Sequence, residues 1–123
     1  MLEKLNVLLI EDEVLTQTLL GTVIRNNGYN VSIASNYDDA FKAWRNISFD
    51  LIVSDYFLEG SKTGVDFLQD IRSESSSVPA IALSYAENSE TIDLINKAGF
   101  DFYLKKPVDV RVFSTALTKL LAT

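Results

Sequence analysis

Five short apolar segments alternate along the chain with five longer amphipathic ones. The short segments are Leu5 to Ile10, Asn30 to Ala34, Leu51 to Ser54, Ala80 to Leu83 and Phe102 to Leu104. The first and third are nearly unbroken aliphatic runs, the pattern of a parallel strand covered on both faces. The longer segments carry helical spacing. Glu13 to Asn27 has Leu15, Leu19 and Val23 at i, i+4, which predicts its apolar face, and Gly28 stands where a C-terminal cap is expected. Asn36 can cap a helix holding Ala40, Phe41 and Trp44. Val65 to Arg72 places Val65, Leu68 and Ile71 on one face, and Ser73 to Ser77 reads as a loop. Ser89 can cap a helix with Ile92 and Ile95 inward and Gly99 at its end. Phe113, Ala116, Leu117, Leu120 and Leu121 follow i, i+3, i+4, i+7, i+8, a strongly amphipathic last helix. Strict strand–helix alternation predicts an α/β fold. Its parallel sheet has right-handed crossovers and helices on both faces. With no internal repeat and no linker, residues 1–123 read as one domain.

Composition narrows the function classes. At 123 residues, with 47% apolar and 23% charged, the chain has the length and balance of an ordinary globular domain. Eleven Lys and Arg against 17 Asp and Glu give a net charge of −6, which argues against direct nucleic acid binding. There is no Cys, so thiol catalysis, disulfides and thiolate metal sites are excluded, in keeping with a reducing cytoplasm. There is no His, so a histidine general base and most zinc sites are excluded too. No apolar run approaches the ~18 residues of a membrane span, and the start Met1-Leu2-Glu3-Lys4 is unlike a signal peptide.

The placement of the polar residues is the most informative feature. The first strand runs into Glu11, Asp12 and Glu13, the third into Asp55; the fourth ends at Ser84, and Lys105, Lys106 and Pro107 follow the fifth. Taken singly, each is an ordinary loop residue, and acids such as Asp12 and Glu13 often only complement a helix dipole. Taken together they belong to one edge, because ligands of open parallel sheets bind outside the carboxyl ends of the strands. Clustered carboxylates repel unless a cation sits among them. A hard cation such as Mg²⁺ suits one or two carboxylates plus phosphate oxygens. A carboxylate can also be the nucleophile toward phosphorus, with cations neutralising the phosphoryl oxygens.

At these residues the chain resembles the receiver domains of bacterial two-component response regulators, including the chemotaxis regulators. The motifs are Leu8-Leu9-Ile10-Glu11-Asp12-Glu13, Asp50-Leu51-Ile52-Val53-Ser54-Asp55, Ser84 and Tyr103-Leu104-Lys105-Lys106-Pro107, in order and at family spacing. The resemblance implies a flavodoxin-like, doubly wound sheet of order 2-1-3-4-5 with five helices. It implies Asp55 as phosphoacceptor and Lys106 as the phosphate-binding lysine. It implies Glu11, Asp12, Asp55 and the carbonyl of Phe57 as the Mg²⁺ site. Ser84 and Tyr103 become the hydroxyl and aromatic pair of the switch. The implied partners are a histidine kinase or histidine phosphotransfer domain and a downstream effector. The implied role is a cytoplasmic signalling domain that catalyses only its own phosphorylation and dephosphorylation.

The chain departs from the family pattern at several points. Glu11 replaces the commoner Asp. Leu58-Glu59-Gly60 replaces Leu-Pro-Gly, and Gly64 comes one residue late, as in receivers of hybrid sensor kinases. Phe102 and Ala116 stand where the dimer of winged-helix regulators usually needs an acid and an Arg. Phe57 and Ala86 offer little to hold a hydrolytic water, and Tyr85 stands where the family usually has a small residue and narrows the approach, so the phosphorylated state is expected to last. Two alternatives stay open on sequence alone. One is an interaction module that keeps the fold without using Asp55. The other is an enzyme or carrier of similar architecture, although the P-loop Gly-x-x-x-x-Gly-Lys-Ser/Thr is absent, acids replace the hydroxyl-rich loop an FMN carrier needs, and Phe57 replaces a phosphatase's second acid.

Overall fold

A computed structural model describes residues 4–58, 60–74, 76–85 and 87–121. The elements alternate without exception: β1 (Asn6–Ile10), α1 (Val14–Asn26), β2 (Asn30–Ala34), α2 (Tyr37–Asn46), β3 (Leu51–Asp55), α3 (Gly64–Ser73), β4 (Ala80–Ser84), α4 (Ser89–Ala98), β5 (Phe102–Lys105) and α5 (Val110–Leu121). All strand pairs are parallel, in the order β2-β1-β3-β4-β5. The chain thus doubles back once, between β2 and β3, and the crevice of such a sheet opens where the order reverses, beyond β1 and β3.

The period-2 alternation of the strands builds two cores. Leu8, Ile10, Ile52 and Ala82 point to one face, under Ala40 of α2, Phe67, Leu68 and Ile71 of α3, and Ile95 of α4. Val7, Leu9, Leu51, Val53, Ile81 and Leu83 point to the other, under Leu20 and Ile24 of α1 and Phe113, Leu117 and Leu121 of α5. Strands β3 and β4 are buried at every position, and β1 at all but its first residue. The two edge strands keep half-buried and exposed positions.

Two sequence expectations are corrected. Leu15 and Leu19 do not form the buried face of α1; they are 86% and 47% exposed, and Val23 is half-buried. The stripe that meets the sheet is Gln17, Leu20, Gly21 and Ile24, also at i, i+3, i+4, i+7. Gln17 fixes this rotation, since its Nε2 donates to the Glu11 carbonyl at 2.5 Å and to Ser35 Oγ at 3.1 Å. The α4 cap is Asn88, whose Oδ1 accepts from Thr91 N–H at 2.8 Å, and Ser89 is the first helical residue. Elsewhere the expected punctuation stands. Asn36 caps α2, and Gly28 and Gly99 take positive φ after α1 and α4. Helix α3 extends through Ser73 before the loop begins.

The start of α3 carries the closest backbone approach near the strand ends. Thr63 and Asp66 form a reciprocal capping box, and Gly64 N–H donates to the Tyr56 carbonyl at 2.7 Å. A Cβ at Gly64 would lie 2.3 Å from the Asp55 carbonyl oxygen and 2.6 Å from Ser54 Oγ. Neither neighbour is the free end of a flexible side chain. Gly64→Ala is therefore expected to cost about 2 kcal/mol of stability in urea unfolding, the range of overpacking strain. An unchanged unfolding midpoint would contradict this packing.

Candidate functional site

Four strand ends deliver the site. Glu11 follows β1, and its N–H donates to the Ala34 carbonyl at 2.9 Å, which anchors the turn to the end of β2. Asp55 is the last residue of β3, and Ser84 the last of β4. Lys106 follows β5, with its N–H donating to the Ser84 carbonyl at 2.9 Å. Glu11, Ser84, Asp55 and Lys106 are buried; Asp12 is exposed beside them.

The Lys106 ammonium is the centre. It lies 2.5 Å from Glu11 Oε1, 2.8 Å from Asp55 Oδ2 and 2.8 Å from Glu13 Oε1. Glu11 Oε2 accepts the Glu13 N–H at 3.1 Å, while its Oε1 is buried with no aligned hydrogen-bond donor and meets Lys106 only as a close ion contact. Glu11, Asp12 and Asp55 each present a carboxylate oxygen within 4.8 Å of the others. Such a donor set, all hard oxygens with one buried oxygen poorly satisfied, fits a divalent cation such as Mg²⁺.

The sequence expectations map onto this geometry unevenly. Asp55, Glu11, Asp12 and Lys106 converge as expected. Ser84 and Tyr103 are neighbours: the Tyr103 hydroxyl donates to the Ser84 carbonyl at 3.4 Å, and the half-buried ring packs against the core on the α2–α4 side. Phe57 lies two residues past Asp55, in an isolated bridge with Thr63, with its side chain 66% exposed. Ala86 and Glu59 lie outside the described residues. Sequence reasoning missed Glu13 as a Lys106 partner and Gln17 as the brace of the Glu11 turn. The available signal was Glu at a helix N-cap, a position that favours shorter side chains.

Burial pushes the Glu11 carboxyl up from 4.5 to about 7, against the pull of Lys106 and the Glu13 N–H and with the Asp55 charge adding to the rise. Burial also raises Asp55, opposed by Lys106. For Lys106 burial works against the charge, but Asp55, Glu11 and Glu13 outweigh it and the ammonium is held. Lys106 in turn lowers Glu13.

In this arrangement the folded protein keeps the Glu11 proton up to about pH 7, whereas the unfolded chain releases it near 4.5. Between those values the folded state binds more protons, so the metal-free protein loses stability as pH rises. Urea unfolding in a chelator should show a loss on the order of 2–3 kcal/mol across that window, and a clearly smaller one for Glu11→Gln. A wild-type profile as flat as that of Glu11→Gln would refute the assignment.

The sheet order and the acid–lysine cluster beyond its carboxyl edge define the class, a flavodoxin-like α/β protein with an acidic site at its switch point. Residues 7–118 match the response regulator receiver domain, and the chain belongs to that family. It is 31% identical over 119 residues to the transcriptional regulatory protein ZraR of Salmonella typhimurium, covering 97% of this chain and 27% of that protein. It is 26% identical over 117 residues to a cyclic di-GMP phosphodiesterase of Thermotoga maritima, covering 95% of this chain and 31% of that protein. The chain thus spans roughly a quarter to a third of these relatives. Among solved structures, the chemotaxis protein CheY4 of Vibrio cholerae superposes with a TM-score of 0.88 at 22% identity, over 97% of this chain and all of that one. A putative response regulator from Chloroflexus aurantiacus gives 0.89 at 21% identity, over 98% of this chain and all of that one.

Proposed function

We propose that this chain, residues 1–123 forming one receiver domain, is a phosphoacceptor switch whose phosphorylated residue is Asp55. One observation carries the reading: Asp55 Oδ2 lies 2.8 Å from a buried Lys106 ammonium within a cluster of three carboxylates. An interaction module has no need to bury that charge set, since burying charge costs free energy.

The phosphoryl group comes from a phosphohistidine of a partner, because this chain has no His. The partner is a histidine kinase or a histidine phosphotransfer domain. An Asp55 carboxylate oxygen forms the new O–P bond as the donor's P–N bond breaks, and the imidazole leaves with the electron pair. Glu11, Asp12 and Asp55, with the carbonyl of Phe57, would hold Mg²⁺, which when bound supplies charge neutralisation at the phosphoryl oxygens. Lys106 pairs with one phosphoryl oxygen, and Ser84 donates a hydrogen bond to another. Ser84 and Tyr103 then settle into a second arrangement, and a downstream effector protein or domain reads the difference between the two states. The net charge of −6 opposes direct nucleic acid contact. No described helix is long and apolar enough to cross a membrane. The proposed setting is the cytoplasm, without membrane insertion.

The test is intact-mass measurement with Mg²⁺ and acetyl phosphate. Wild type is expected to gain one phosphoryl group. Asp55→Asn is expected to gain none, since an amide is neither a competent nucleophile nor an anionic ligand. Undiminished phosphorylation of that variant would overturn the reading.

The lifetime of the acyl phosphate supplies a further expectation. Hydrolysis needs a positioned in-line water. Phe57 has an apolar side chain there, and Tyr85, 60% exposed, holds its ring 5.3 Å from Lys106 Nζ. Phe57→Asn combined with Ala86→Glu should therefore speed decay of the phosphorylated protein severalfold once the donor is removed. Equal decay of the double variant and wild type would count against control by these side chains.

A further inference from the structure

Lys106 has three ammonium hydrogens and three carboxylate partners. Two of the partners, Glu11 and Asp55, belong to the acid cluster of the site; Glu13 does not. Glu13 stands at the N-cap of α1 with extended backbone, yet its side chain makes no capping hydrogen bond. Its Oε1 is instead the meeting point of Lys106 Nζ at 2.8 Å, Thr16 Oγ1 at 3.5 Å and the Tyr85 hydroxyl at 3.5 Å. The Tyr85 ring lies over the same ammonium. Glu13 and Tyr85 thus close the solvent side of Lys106.

We propose that Glu13 is a positioning residue that holds the solvent side of the Lys106 ammonium in the resting state and thereby sets how readily the site accepts a phosphoryl group. The inference rests on the reading of Asp55 as phosphoacceptor. The phosphoryl group brings anionic oxygens to the Lys106 ammonium, and Asp55 meets that ammonium as an ester rather than a carboxylate once its O–P bond has formed. Of the two carboxylates that then remain on Lys106, Glu11 is buried, whereas the Glu13 side chain is 47% exposed and returns to water at the lower cost. Glu13 is therefore the partner displaced. Its competition for Lys106 and its repulsion of the incoming phosphoryl charge both oppose phosphorylation. Once displaced, it also releases the Tyr85 hydroxyl, so the loop after β4 senses the event through this carboxylate.

The experiment compares wild type, Glu13→Ala and Glu13→Asp by phosphorylation rate with Mg²⁺ and acetyl phosphate and by affinity for beryllofluoride. Glu13→Ala should react about two- to fivefold faster and bind beryllofluoride correspondingly tighter, the size of effect expected of a half-exposed ion pair. Its Mg²⁺ affinity should stay at the wild-type value, because Glu13 is outside the acid cluster. Glu13→Asp keeps the charge but is one methylene too short to reach Lys106, so it should accelerate as well. A wild-type rate in Glu13→Asp would assign any effect to general charge and overturn the inference. So would a Glu13→Ala variant that melts like wild type and reacts no faster, while wild type itself is phosphorylated normally. A wild type that takes no phosphoryl group would overturn the reading of Asp55 and this inference with it.

Discussion

Everything at the carboxyl edge of this sheet depends on one buried ammonium. Lys106 is 2% exposed, and an unpaired charge there would cost several kcal/mol. The fold meets that cost with carboxylates from two other strand ends, Glu11 after β1 and Asp55 at the end of β3. The dependence is mutual, since without Lys106 these two acids would be buried together with no cation between them. Burial still raises both carboxyls. The resting site is consequently stable enough to fold and poor enough in compensation to favour an added cation. A more complete neutralisation would leave the acids with no reason to bind anything.

The remaining architecture serves to bring those residues together. The parallel register sets Ile10 beside Ser54, Asp55 beside Leu83, and Ser84 beside Lys105, so the ends of β1, β3, β4 and β5 finish at neighbouring points. Alternating strand residues spend their apolar surface on two helix layers, which leaves the strand ends as the place where polar side chains can gather. Local devices then fix the positions. Gln17 grips the Glu11 carbonyl, Ser54 Oγ donates to the Asp55 carbonyl at 2.9 Å, and Gly64 lets α3 begin against that same peptide. The two hydrogen bonds are small interactions of about 1 kcal/mol each, but they and the Gly64 approach all bear on the direction of a carboxylate in the cluster.

How much of this was legible in the sequence follows from how local the governing physics is. The buried runs of β1 and β3 and the acids beyond them read directly, because burial on both faces leaves an unbroken apolar signature. The site residues read as a set because a parallel sheet gathers strand ends whatever its details. The orientation of α1 was misread because two stripes, Leu15-Leu19-Val23 and Gln17-Leu20-Gly21-Ile24, both have helical spacing. The choice between them lies in the Gln17 contacts with Glu11 and Ser35, which are tertiary. Asn88 and Ser89 are both competent caps, and one residue of chain placement decides between them. Glu13 looked like a dipole-complementing acid, and only the folded position of Lys106, 93 residues away, turns its side chain to another use.

The same packing indicates where a change at the site is cheapest to accommodate. The Ser84 peptide is shared, since its carbonyl accepts both the Lys106 N–H and the Tyr103 hydroxyl, so movement of either is felt at the end of β4. Beyond it, α4 buries only Ile95 and Ala98, both in its C-terminal half. Arg72 ties that half down, with Nη1 donating to the Val78 carbonyl at 2.6 Å and Nη2 to the Gly99 carbonyl at 3.2 Å. The N-terminal half presents Ser89, Glu90 and Asp93 to solvent and has no such anchor among the described residues. Segments with few buried contacts open at the lowest free energy. A rearrangement started at Ser84 therefore meets least resistance in the loop after β4 and the first turns of α4, with the Arg72-bound end as the fixed point.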